Sequence, residues 1–144
     1  MKASKTLAAA LLISGFTSTA HPVLAAGNFG PETLALINSY RESHGLAPLV
    51  PHAALEALAR QHSRAQAASN RMSHAGYRER SAEARAAGLS GICAENVGHR
   101  YRNARQLVSG WVNSPPHRTN LLRSNIRYAG VSVVGDFSTF FACE

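Results

Sequence analysis

The hydrophobic period of this chain changes once, near residue 128. Upstream, apolar residues recur every three or four positions. Leu34, Ile37 and Tyr40 form one such stripe, Leu55, Leu58, Ala59, His62 and Ala65 a second, and Leu107, Val108 and Trp111 a third. Downstream, residues 128–134 and 137–143 read as two strands joined by a hairpin near Gly135-Asp136. Helices followed by strands define an α+β domain. A two-stranded ribbon is only marginally stable in water. The helices must therefore cover it, and a third strand is expected without an assigned position.

Glycine and proline set the boundaries of these segments. Pro31 opens a first helix and Gly45 closes it. A second helix is expected from about Pro51 to Asn70, a third from Arg78 to Ala87 and a fourth from Ala104 to Asn113. Residues 72–76 leave the second helix as a loop, and residues 92–98 read as a short connector bounded by glycines. Ser114-Pro115-Pro116 breaks the fourth helix and starts a turn that runs to Leu122. Trp111 and His62 are expected as packed residues, His62 with a hydrogen bond.

The first residues look like an address. Lys2 and Lys5 precede an apolar run, Leu7 to Phe16, and Val23 and Ala25 suit the small-residue exit of an export signal. The run is too short to span a bilayer, which needs about 20 apolar residues. Residues 1–25 are expected to leave as a signal peptide. Residues 26–144 would remain as one secreted or periplasmic domain without a transmembrane segment. Both lysines leave with the leader, so the mature chain carries thirteen Arg against eight acids. Guanidinium groups suit carboxylates and phosphates, and an anionic envelope surface is a candidate partner. Nucleic acid is disfavoured, because no nucleic-acid motif and no basic run interleaved with aromatics occurs. GxxxxGK[ST], GxGxxG, CxxC, HExxH and GxSxG are absent too, so no nucleotide or organic cofactor is expected. Export also means oxidising conditions, under which Cys93 and Cys143 should pair.

Three residues in loops or at helix edges could converge: His74, Glu95 and His117. Two imidazoles and a carboxylate could bind a divalent metal and leave a position for water. Alternatively, Glu95 and one histidine could form a general acid–base pair. The spacings of 21 and 22 residues are not local ligand signatures, so from the residues alone three unrelated loop residues that cap helices or satisfy buried backbone are the better reading. Glu95 and His99 are four apart, but Gly98 argues against a helix that would align them. A Ser114–His117 dyad lacks an orienting carboxylate.

Several stretches resemble the bacterial branch of the CAP superfamily, the SCP domain shared by cysteine-rich secretory, antigen 5 and pathogenesis-related proteins. They are Asn38-Ser-Tyr-Arg41 with Gly45-Leu-Ala-Pro-Leu49, then Met72-Ser-His-Ala-Gly76, Ala94-Glu-Asn-Val-Gly98 and Trp111-Val-Asn-Ser-Pro-Pro-His-Arg-Thr-Asn-Leu-Leu122. Tyr128-Ala-Gly-Val-Ser-Val133 and Phe140-Phe141 complete the order. The resemblance implies an α-β-α sandwich with a central antiparallel sheet between helical layers. It also implies a cleft of two histidines and two acids that holds zinc or another divalent ion in some members. His74 and His117 match the histidines and Glu95 the first acid, whereas Ser114 stands where the second acid falls. Asn96 and Arg118 are expected to brace Glu95 and His117 from behind, beside Ser114. Three functions follow as expectations. The first is a module that binds a lipid, glycan or peptide in the cleft, and the second is a metal-assisted, peptidase-like hydrolase. The third is an Arg-rich protein that docks on anionic surface polymer.

Overall fold

The computed structural model describes residues 27–144, so the expected leader lies outside the described residues. The chain runs α1 (Gly30–Glu42), β1 (Val50–Pro51), α2 (Ala53–Ser69), α3 (Tyr77–Ala86) and β2 (Cys93–His99). It continues through α4 (Ala104–Asn113), α5 (Pro115–Leu121), β3 (Tyr128–Val134) and β4 (Phe137–Cys143). The strands form one sheet in the order β1-β3-β4-β2. β3 and β4 make the expected hairpin, with Gly135 at φ 56° in the first position of its two-residue loop. The sheet is mixed and not wholly antiparallel: β2 pairs antiparallel with β4, but β1 runs parallel to β3 through two residues.

β4 is buried along its whole length, and its alternation divides the protein into two cores. Phe140 and Ala142 face α1, α4 and α5, where Ile37, Trp111 and Leu121 are buried. Phe141 and Cys143 face α2 and α3, against Leu55, Leu58 and Ala84. Helices thus cover both faces of the sheet. The α-β-α sandwich follows. α2 lies so close to β3 that a Cβ on Gly130 would come within 2.2 Å of the Glu56 backbone nitrogen.

Two segments differ from their sequence reading. Residues 92–98 contain a strand instead of an irregular connector, because Cys93 to Gly98 are buried on both faces and show no apolar alternation. The double proline opens helix α5 instead of a turn, since the first helical positions need no N–H. The helical stripes also shift. Tyr40 is only partly buried and Ala65 is exposed, whereas Arg41, Ser63 and Gln66 turn inward. Ser63 Oγ donates to Ser132 O and is hydrogen-bonded to Thr139 Oγ1, and Gln66 Nε2 donates to Thr139 Oγ1, so α2 meets the sheet partly through hydrogen bonds. Arg41 Nη1 donates to Leu121 O and Arg123 O, and its Nε donates to Ala47 O. This one buried guanidinium ties α1 to the end of α5 and to the loop before β1.

β2 lies at the edge of the sheet, and three side chains close that edge. Tyr77 Oη donates to Cys93 O, Asn120 Nδ2 to Glu95 O and Trp111 Nε1 to Val97 O. Alternate carbonyls of one strand are thereby taken, which blocks pairing with another chain. The opposite side of β2 is stapled to β4 by a disulfide between the facing residues Cys93 and Cys143, whose Cα atoms are 4.1 Å apart. The expected pairing is present. Closing this 50-residue separation stabilises the fold by about 4 kcal/mol in the chain-entropy treatment. Urea unfolding of the Cys93→Ala/Cys143→Ala variant should show a loss of that size.

Candidate functional site

Glu95 sits midway along β2 with a side chain only 1% exposed. A buried carboxylate must be paired, and here Arg80 of α3 pairs with it twice. Arg80 Nε donates to Oε2 at 2.7 Å and Nη2 donates to Oε1 at 2.9 Å. A third N–H donor of the same guanidinium, on Nη1, reaches Ala75 O in the loop after α2. That bond fixes the loop carrying His74, whose Nδ1 lies 2.8 Å from Glu95 Oε1. A carboxylate accepts only, so Nδ1 carries the proton and the His74 Nε2 lone pair is left for another partner. The His74 side chain itself is 54% exposed.

Behind this group lies His62 of α2. Its Nε2 donates to Ser73 O at 2.7 Å and stands 3.9 Å from Glu95 Oε1. As expected, it is a packed, hydrogen-bonded residue. Burial pushes His62 below the usual histidine range, and the neighbouring Arg80 and His74 charges push the same way. The Ser73 carbonyl and Glu95 oppose them.

His117 enters from α5 and is partly buried. Burial, and then the nearby His74, lower its pKa, so its neutral form is favoured. Asn96 secures it: Asn96 Nδ2 donates to His117 O, while Asn96 Oδ1 accepts from Asn120 Nδ2. Asn96 therefore braces His117 through the backbone. Arg118 points elsewhere, donating from Nη1 to Val112 O, and so joins α5 to α4 instead of contacting Glu95 or His117. Ser114 is the hinge residue between these two helices, and its side chain makes no hydrogen bond among the described residues.

The sequence reading missed Arg80, Asn120 and Arg123. Arg80 was legible in principle: Tyr77, Arg80, Ser81 and Ala84 follow the helical spacing, and Arg80 lies mid-stripe. Asn120 joins the Glu95 and Asn96 positions and also accepts from Arg123 Nε at 3.3 Å. A hollow of about 320 Å³ opens here, lined by His74, Tyr77, Cys93, Glu95, Asn120 and Arg123. Among the described residues, no three His, Cys, Asp or Glu side chains are grouped so as to hold an ion. His74 lines this hollow and His117 does not, although His74 lies near enough to His117 to lower its pKa.

A profile of the cysteine-rich secretory protein family, CAP, matches residues 34–144. The chain belongs to this family. Among solved structures, the CAP domain here is similar to an extracellular protein containing an SCP domain from Bacillus anthracis. The TM-score is 0.72 at 24% identity, over 80% of this chain and 40% of that one. A cysteine-rich secretory protein from Staphylococcus aureus follows, with TM-score 0.69 and 23% identity over 85% of this chain and 40% of that one. An outer surface protein from Borrelia burgdorferi has TM-score 0.69 at 15% identity, covering 79% and 90%. This chain thus spans about 40% of the length of the first two. No curated protein sequence matches it. Among the described residues, no helix of the CAP domain is long and apolar enough to cross a membrane.

Two predictions follow from the buried cluster. Arg80→Ala leaves Glu95 as an unpaired buried charge, so urea unfolding should show a loss of about 3–5 kcal/mol. The second concerns pH. Because the folded state lowers the pKa of His62, the unfolded chain takes up the proton first. Stability should therefore fall as pH drops below about 6.5 and level off below the folded pKa. His117 contributes in the same direction. His62→Gln keeps a donor for Ser73 O but cannot titrate, and should flatten part of that fall in melting curves taken from pH 7.5 to 5.

Proposed function

We propose that this is an exported CAP-domain protein, secreted or periplasmic, that binds a lipid, glycan or peptide ligand in the His74–Glu95 cleft. The N-terminal address supports export, and neighbours named as extracellular and outer-surface proteins agree with it. His74 and His117 are the residues that would hold a divalent metal, zinc by the nature of the donors. Neutral imidazole nitrogens suit zinc, and the Glu95 hydrogen bond to Nδ1 is the arrangement that orients a ligating histidine and raises its basicity. When bound, such an ion supplies a positive site that polarises an oxygen of the ligand.

The observation that carries a binding role over a hydrolytic one is the burial and pairing of Glu95. Its side chain is 1% exposed, Arg80 pairs with both oxygens and His74 bonds one of them, so the carboxylate is held as a charged partner of Arg80 and is poorly placed to take a proton from water. Glu95 is accordingly an orienting group and not a metal ligand, unlike the three-ligand arrangement considered from the sequence. The acid–base pair expected as an alternative also loses its free carboxylate.

Calorimetric titration of the protein with zinc near neutral pH tests this reading. One site is expected, absent in the His74→Ala/His117→Ala variant and weakened about 10- to 100-fold in Glu95→Gln. Unchanged zinc affinity in Glu95→Gln would remove the orienting role. Zinc-dependent turnover abolished by that substitution would restore the hydrolase.

A further inference from the structure

The hollow beside His74 does not end at Tyr77. A second hollow of about 350 Å³ adjoins it, sharing Tyr77 and Cys93 with the first and reaching Arg78, Ser81 and Arg85 of α3. Its remaining wall is Gly91 and Ile92, the latter 51% exposed. Arg78, Ser81 and Arg85 are three and four residues apart, so one face of α3 presents both arginines to this hollow. Neither guanidinium makes an ion pair among the described residues. Both differ in this from Arg80, which the fold consumes on Glu95. The Glu144 side chain lies against Gly91 at the border of the hollow and pairs with neither arginine. In the first hollow, Arg123 is held by Asn120 and likewise makes no ion pair among the described residues.

We propose that the two hollows form one groove for an extended acidic peptide, with Arg78 and Arg85 reading a ligand carboxylate beyond Tyr77 and Arg123 reading another beside His74. This rests on the cleft being a ligand site and names the class of ligand. The apolar part of the lining is chiefly the Tyr77 ring and Ile92, over the buried Cys93 and Ala94. An extended peptide offers alternate side chains to opposite sides, so carboxylates can reach the arginines while apolar neighbours cover that surface. A uniformly charged polymer has no use for the apolar strip, and a lipid needs one head-group contact, not cations at both ends. The carbonyls of Cys93, Glu95 and Val97 are already capped, so the peptide is held by side chains and not as an added strand.

The test is fluorescence anisotropy with a labelled octapeptide of alternating Glu and Leu, beside the same peptide with Gln for Glu. The purified protein should bind the Glu peptide about tenfold or more tightly than the Gln peptide, with affinity falling as salt rises. Arg78→Ala/Arg85→Ala should lose about tenfold, whereas Arg60→Ala/Arg64→Ala, an equally exposed pair on α2, should bind as the unsubstituted protein does. Thermal melting and zinc titration of Arg78→Ala/Arg85→Ala should be unchanged, which shows that fold and histidine site are intact. Equal binding of both peptides, or no loss in Arg78→Ala/Arg85→Ala, overturns the acidic specificity while leaving the cleft as a ligand site. Equal loss in the two arginine pairs reduces the effect to general surface charge and overturns it as well. Absence of peptide binding with zinc binding retained overturns the peptide, and loss of both overturns the cleft.

Discussion

The carboxylate of Glu95 cannot be solvated where the sheet places it, and much of this protein is arranged around that constraint. An unpaired charge at this depth would cost several kcal/mol. Arg80 meets it with two donors and uses a third on the His74 loop. One guanidinium therefore does two things: it neutralises the buried acid and sets the position of the exposed imidazole. The electrostatic requirement of the core and the geometry of the cleft are the same set of bonds. A change that loosens one loosens the other.

β2 transmits this arrangement to the rest of the fold. It is held to β4 by the sheet ladder and the Cys93–Cys143 bridge, and on its outer edge by Tyr77, Asn120 and Trp111 from three different helices. Each of these side chains also faces a core or the cleft. Trp111 packs against Phe140, and Tyr77 sets its ring edge-on to Phe141. The two cores on either side of the sheet are thus tied through the strand that carries the site. Asn96, next to Glu95, reaches His117 on the opposite side and links α5 to the same strand.

Legibility followed the solvent. The β3–β4 hairpin and α4 were readable to the residue, because a turn glycine and a clear periodic face marked them. β2 was not, since a strand buried on both faces carries no alternation and its Glu95 and Asn96 look like loop residues. α5 was hidden behind two prolines that usually end helices but here begin one. In the site, His74, Glu95 and the Asn96 support of His117 were reached from motif resemblance. Arg118 was assigned to the wrong neighbours, and Arg80 was overlooked among thirteen arginines, where nothing local separates a structural guanidinium from a solvated one.

By itself, the sequence determined the α+β class, the hairpin, the oxidised cysteine pair and the family, because each rests on period, turn chemistry, redox setting or ordered local motifs. Tertiary structure alone decided which polar groups are buried and what they pair with. The partners of Glu95 are 15 and 21 residues away along the chain, on a helix and in a loop that meet only after the sheet is covered. Charge compensation in a core is set by distance in space, and no local pattern encodes it.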